Sequence, residues 1–231
     1  MKTVALIVAA GSGRRFGEGV PKQFRPVHRR PLLAWTIRQF EQAQLVDDIV
    51  VVVSEQYLLY TGEKVVPTGT GTKVTQIVKG GAERRESVAR GLRALPVSTG
   101  FVAIHDGARP LVDAMDIDRV IEAAQRDRAA ILARPATDTV KRVEGDYILA
   151  TLDRGKLFLA ETPQAFQYDL IVSAHDQGPD DADLTDDSAL VERLGFKVRT
   201  VVPNRPNIKV TTEDDLKIVK GLIDYEWGSE L

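Results

Sequence analysis

The sequence predicts an α/β fold, doubly wound about a mostly parallel sheet, on three observations. Short β-branched runs alternate with stretches of helical periodicity along most of the chain. The runs are apolar throughout rather than alternating, the pattern of strands covered on both faces. One hairpin-like stretch near residue 137 breaks the rhythm and reads as a projecting β-arm. The 231 residues, 43% of them hydrophobic, suffice to bury a core without cross-links.

The first strand is Thr3–Val8. Pro31 opens a helix that places Leu33, Ile37 and Phe40 on one face. Strands follow at Asp48–Val53, Val74–Val78, Phe101–Ile104 and Ala130–Ala133. Between them, Val88, Leu92 and Leu95 repeat the helical spacing, as do Ile117 and Ile121. Thr61–Thr72 is the one flexible-looking stretch. The arm covers about 137–155, with its turn at Glu144-Gly145-Asp146. A helix at Thr185–Leu194, a strand at Lys197–Val201 and a helix from Thr212 complete the chain. Right-handed crossovers put all the strand C-termini on one edge, where such folds bind ligands. Without repeats or a linker, residues 1–231 read as one domain carrying an arm.

Composition excludes several functions. With 31 Lys plus Arg against 33 Asp plus Glu, the net charge of −2 attracts neither nucleic acid nor anionic lipid globally. An anion has to be held by a local concentration of donors. The absence of cysteine rules out disulfides, thiol catalysis and thiolate metal sites. The opening apolar stretch, only Val4 to Ala10, is too short for a signal peptide and is followed at once by glycine and arginine. A cytoplasmic protein is expected.

The sharpest local feature follows the first strand: Ala9-Ala10-Gly11-Ser12-Gly13-Arg14-Arg15-Phe16-Gly17. Glycines there allow a tight turn that aims N–H groups at an anion. A dinucleotide fingerprint fails, because the third glycine comes one place late and Pro21 and Pro26 forbid a regular helix just beyond. A P-loop fails too, since the only Gly-Lys pair, Gly155-Lys156, precedes Leu157. What remains is a long basic loop, Gly11 to Gln23, that could hold a polyphosphate with amides and cations, or stand as a solvated surface loop. The acidic cluster at Asp180, Asp181, Asp183, Asp186 and Asp187 lacks the spacing of an EF-hand and reads as a solvated turn.

Ala9-Ala10-Gly11-x-Gly13-x-Arg15 with Pro21-Lys22-Gln23 resembles the signature of sugar-nucleotide pyrophosphorylases and cytidylyltransferases. Six further motifs follow in order: Gly80-Gly81-x-x-Arg84-x-x-Ser87-Val88, His105-Asp106-Gly107-Ala108-Arg109-Pro110, Asp138-Thr139-Val140-Lys141, Thr162-Pro163-Gln164, Thr185-Asp186-Asp187 and Asn207-Ile208-Lys209-Val210-Thr211. Together, from Val4 to about Leu222, they resemble the 2-C-methyl-D-erythritol 4-phosphate cytidylyltransferase family. Ribitol-5-phosphate cytidylyltransferase is the nearest alternative, from whose pattern Lys141, Ser87-Val88 and Asp186-Asp187 differ. Another sugar-phosphate nucleotidyltransferase, or a non-catalytic nucleotide binder, stays open behind it. Arg134 and Ala82 depart from the residues commoner in the family. The length leaves no room for the cyclase domain that some relatives carry.

The resemblance implies a Rossmann-like fold of nucleotide-diphospho-sugar transferase type and transfer of CMP from CTP to a sugar-alcohol phosphate, with Mg²⁺ held mainly by the CTP phosphates. Because a phosphate monoester is already ionised at neutral pH, such a reaction needs no general base. Arg15, Lys22, Arg154 and Lys209 are implied as catalytic cations. Ala9, Ala10, Gly11, Gly13, Gly81, Ala82, Ser87, Asp106 and Gly107 are implied at CTP. Asp106, Arg109, Thr139, Arg154, Thr162, Thr185 and Lys209 are implied at the second substrate. In the family the arm packs on its counterpart in a homodimer, which brings Thr139 and Arg154 to the partner's site. Structural readings stand beside these. Ser87 fits an N-cap, Asp106 a turn carboxylate, and Thr185-Asp186-Asp187 an ordinary helix start. Thr212-x-x-Asp215 reads as a capping box alone.

Overall fold

The apolar run Lys2–Ala9 becomes β1, a central strand whose alternate side chains enter two different cores. Ala5, Ile7 and Ala9 face one, while Val4 and Leu6 face the other, which is why the run shows no polar alternation. Truncating a side chain such as Leu6 to alanine in this setting costs about 2–5 kcal/mol. The computed structural model of the chain describes residues 1–11, 16, 19–69, 71–177 and 186–228.

After β1 come a two-residue pair, β2 (Pro26–Val27) and β3 (Arg30–Pro31), and helix α1 (Leu32–Gln42). Strand β4 (Asp48–Val53) leads through the short α2 (Leu58–Tyr60) to β5 (Val74–Lys79) and α3 (Arg84–Arg93). Next are β6 (Thr99–Asp106), α4 (Ala114–Asp127) and β7 (Ala129–Pro135). The arm is the separate hairpin β8 (Lys141–Glu144) and β9 (Tyr147–Thr151). The chain returns as β10 (Phe158–Gln167), α5 (Tyr168–Gln177), α6 (Asp187–Arg193), β11 (Arg199–Val201) and α7 (Glu213–Trp227).

The main sheet has seven strands in the order β11-β7-β10-β6-β1-β4-β5. Helices α1 and α4 supply one core and α3, α5 and α6 the other. A third cluster joins α7 to α1, where Trp227 stacks on Trp35 with ring centroids 5.6 Å apart.

Each expected strand forms, and Thr212 makes the expected capping box with Asp215. Three features correct the sequence reading. Strand β10 and helix α5 were not expected, and β10 runs antiparallel to both its neighbours, so not every strand ends on the same edge. The stretch from Thr61 contains a π-helical turn at Thr61–Val65 and a 3₁₀ turn at Pro67–Gly69, pinned by Thr68 Oγ1 donating to Lys64 and Val65 carbonyls. Strand β5 is an edge strand and only partly covered. The arm turns at Gly145, whose φ of 55° suits glycine, and it carries exposed apolar side chains: Val143, Tyr147, Ile148 and Leu149 are each more than half exposed.

Candidate active site

Parallel strands β1 and β6 end side by side, and the loops leaving them, with the turn after β5, enclose a cleft of about 360 Å³. Three backbone segments form its walls: Ala9-Ala10-Gly11 beyond β1, Gly81-Ala82 before α3, and the Lys22-Gln23 turn. The walls can approach because Gly80 has no side chain, as a Cβ there would collide with that of Ala10. Gln23, 2% exposed, holds the turn to β1 by donating from Nε2 to the Ala9 and Gly11 carbonyls at 2.7 and 2.9 Å.

At the mouth of β6 sits Asp106, whose carboxylate meets three cations. Oδ1 lies 3.0 Å from Arg84 Nε, and Oδ2 lies 2.7 Å from Lys209 Nζ and 3.6 Å from Arg109 Nε. Burial alone would raise this carboxyl, but Arg84, Lys209 and Arg109 hold it well below the usual carboxylate range. Arg84 continues the network to buried Asp187 at 2.8 Å, and Asp187 meets His175 at 3.2 Å. Burial would lower the Arg84 guanidinium, yet Asp187 and Asp106 together raise it. For Asp187 the same contest ends in a lowered value, with burial opposed chiefly by Arg84.

The motifs beyond the glycine loop hold this constellation. Thr162 accepts from the Asp106 backbone N–H at 3.1 Å and pairs with His105 Nδ1 at the same distance. Gln164 receives the Ser188 N–H and donates to Asp186, so the Thr-Pro-Gln segment also fixes the start of α6. Asn207 Nδ2 donates to the Thr162 carbonyl, and Arg109 donates to the Asn207 carbonyl, both at 2.7 Å. These bonds set Lys209 two residues on. Burial drives His105 down to about 3, so it stays neutral across the physiological range.

Of the residues singled out in the sequence, Ala9, Ala10, Gly11, Lys22, Gly81, Ala82, Ser87, Asp106 and Lys209 converge on the cleft. Gly107 packs beneath it, its N–H bonded to the Val8 carbonyl. Arg109 lines a neighbouring cavity, and Thr162 is buried behind Asp106. Thr139 and Arg154 are exposed at the arm and line neither cavity, Arg154 donating to the Thr137 carbonyl. Gly13, Arg14, Arg15 and Thr185, with Asp180, Asp181 and Asp183, lie outside the described residues.

Two structural readings resolve. Ser87 is not the cap of α3, a place taken by Glu83; its hydroxyl accepts from the Gly81 N–H and donates to the Glu83 carbonyl, both at 3.0 Å. Asp186 is the cap of α6, accepting from the Ala189 N–H, while Asp187 is the buried partner of Arg84. Sequence reasoning passed over Arg84, Gln23, Glu161 and His175 as site components. Arg84 and Gln23 stood inside quoted motifs; Glu161 and His175 had no local signal.

A profile of the 2-C-methyl-D-erythritol 4-phosphate cytidylyltransferase family matches residues 3–224. The proteins of that name from Syntrophus aciditrophicus and Geobacter metallireducens are 42% and 43% identical over 229 and 227 residues, covering 98% and 96% of this chain and 98% of each of theirs. Among solved structures, the 4-diphosphocytidyl-2C-methyl-D-erythritol synthase of Anaerococcus prevotii aligns with a TM-score of 0.84 at 27% identity, covering 96% of both chains. The 2-C-methyl-D-erythritol 4-phosphate cytidylyltransferase of Thermus thermophilus aligns at 0.76 and 33% identity, covering 96% of this chain and 98% of its own.

Proposed function

The chain belongs to the 2-C-methyl-D-erythritol 4-phosphate cytidylyltransferase family, and from that premise we propose how its cleft performs the transfer. It moves CMP from CTP to 2-C-methyl-D-erythritol 4-phosphate, giving 4-diphosphocytidyl-2-C-methyl-D-erythritol and pyrophosphate in isoprenoid precursor synthesis. An oxygen of the acceptor's phosphate attacks the α-phosphorus of CTP. A new P–O bond forms as the bond to pyrophosphate breaks. The attacking oxygen is already ionised, so the neutral His105 is not needed as a base.

The barrier is repulsion between two polyanions, and fixed cations lower it. One observation carries this reading: among the described residues, Lys209 alone lines both the cleft and the adjacent cavity. Its ammonium therefore stands where a nucleotide and an acceptor phosphate meet. Lys22 and Arg15 serve the triphosphate, with Gly11 and Gly13 as further CTP-binding residues. Ala9, Ala10, Gly81, Ala82 and Ser87 frame the cytosine. Its ring edge takes the Ala82 N–H from Glu86, an exposed carboxylate that now accepts it at 2.7 Å. Asp106, with Gly107 beneath it, receives a ribose or acceptor hydroxyl. Arg109, Thr162 and Thr185 serve the acceptor.

No three His, Asp or Glu side chains converge as a metal site among the described residues. Mg²⁺ keeps most of its waters and would take the rest of its ligands from the CTP phosphates, with Asp106 the carboxylate that lines the cleft beside them. When bound, the ion supplies positive charge to the triphosphate. The exposed apolar face of the arm supports a homodimer in which each arm carries Thr139 and Arg154 to the partner's acceptor site. The whole chain then works as one domain with an arm at about 137–155. We place the enzyme in the cytoplasm; no helix among the described residues is long and apolar enough to cross a membrane.

Pyrophosphate release tests the proposal. It is expected with CTP, Mg²⁺ and 2-C-methyl-D-erythritol 4-phosphate, with Lys209→Ala raising the acceptor KM. Turnover only with ribitol 5-phosphate, or only with another nucleotide, would overturn it.

A further inference from the structure

Next to the cleft lies a cavity of about 680 Å³, bordered by Arg109, Arg134, Glu161, Asn207 and Lys209. Two of its buried residues present acceptor atoms that nothing among the described residues satisfies: Glu161 Oε2 and Asn207 Oδ1. Both residues are only 4% exposed. Neither orphan can be relieved by a simple flip. Asn207 is fixed because its Nδ2 donates to the Thr162 carbonyl at 2.7 Å, and turning the amide would set oxygen against oxygen. Glu161 is fixed because its Oε1 is held by Arg134 Nε at 3.0 Å. On the other side Arg109 Nε is ion-paired with Asp106 at 3.6 Å, too long for a hydrogen bond, so its N–H has no acceptor within hydrogen-bond distance.

Two buried acceptors beside one spare donor define the chemistry that fits. A phosphate group, acceptor-only, would set oxygen against both carboxyl and amide oxygens. A hydroxyl donates one hydrogen bond and accepts another, so one hydroxyl answers Glu161 and Arg109, and a neighbouring hydroxyl of the same polyol answers Asn207. Resting on the proposed activity, we infer that this cavity reads a hydroxyl of the acceptor's polyol chain, with Glu161 as the specificity-determining residue whose free oxygen accepts that hydroxyl's hydrogen bond. Burial pushes the Glu161 carboxyl up, against the pull of Arg109, Asn207 and Arg134. Arg134 gives the pair its orientation. It stands half exposed and ties one carboxylate oxygen, while the other is left without a partner.

The test compares 2-C-methyl-D-erythritol 4-phosphate with analogues lacking each hydroxyl in turn, using wild type, Glu161→Leu and Glu161→Gln. For wild type, removal of the recognised hydroxyl should lower kcat/KM about 10- to 100-fold, the range for a hydrogen bond to a charged group. Glu161→Leu should lose a similar factor on the full acceptor and become indifferent to that hydroxyl, with the KM for CTP unchanged. Glu161→Gln keeps the shape and so guards against misfolding. Its carbonyl stays with Arg134 and its NH₂ replaces the free acceptor, so dependence on the hydroxyl should fall at least about fivefold. If either folded variant remains as sensitive to every hydroxyl as wild type, the inference is wrong while the activity stands. If wild type turns over no such acceptor, the proposed activity fails and takes the inference with it.

Discussion

Replacing Arg84 by leucine removes the cation shared by Asp106 and Asp187, which lie 3.0 and 2.8 Å from it. Asp106 keeps Lys209 and Arg109, so most of the cost falls on Asp187, whose side chain is 2% exposed and is left with His175 alone. Breaking one side of a buried pair costs about 3–5 kcal/mol. In a chain of this size that lowers Tm by roughly 10 °C. The loss should also depend on pH. In wild type the folded pKa of Asp187 lies below its unfolded value, so its contribution is full above about pH 4 and fades as pH falls further. In Arg84→Leu the chief opponent of burial is gone and the carboxyl rises. The stability gap between the two proteins is therefore widest near pH 7.5 and narrows toward pH 4. Denaturant melts at pH 7.5, 6, 5 and 4 measure it, and adding Asp187→Asn should recover at least half the loss. A gap under about 1 kcal/mol, or one constant from pH 7.5 to 4, would refute the electrostatic account.

Further outcomes concern catalysis, pH and assembly. Lys22→Ala should lower kcat for pyrophosphate release about 10²–10³-fold, the usual loss for one preorganised transition-state donor. His105, neutral in the fold down to about pH 3 but titrating near 6.5 when unfolded, binds its proton first in the unfolded chain. Its contribution should therefore decline as pH falls below 6.5, by about 3 kcal/mol at pH 4, and His105→Gln should flatten that part of a stability–pH curve. Tyr147→Asp with Ile148→Asp should shift sedimentation to the monomer and lower activity at least tenfold; a fully active monomer would exclude Thr139 and Arg154 from a partner's site.

How far the sequence could be read follows from which interactions are local. Apolar runs revealed β1 and β4 because both faces of each are covered, and Thr212 and Asp215 revealed a helix start because the bonds span three residues. Strand β10 escaped notice because burial changes halfway along it, from exposed Phe158 to buried Phe166, so neither alternation nor a uniform run is present. The glycine turns in the cleft walls were legible from the residues themselves, but most of the lining was named only through the family resemblance. Arg84 was not assigned a role, because its partners are Asp106 and Asp187, and the latter lies more than a hundred positions away. The Glu161–Arg134 pair shares that difficulty. Charge pairs between distant strands leave no period in the chain.

The reversed direction of β10 has an architectural consequence. Its ten residues span roughly 30 Å. Had it run parallel to β6, the chain preceding it would have entered at the opposite edge of the sheet, that far from Asp106. Running backwards, it starts at the edge that carries the cleft, beside Pro135 where β7 ends. Everything inserted between those two strands is thus rooted at the mouth of the cleft, outside the layers that fold the protein. The half that lines the cleft, on β1, β5 and β6, and the insert therefore answer to different constraints. The arm can be lengthened, exchanged or regrafted without disturbing the core packing, because its strands pair only with each other.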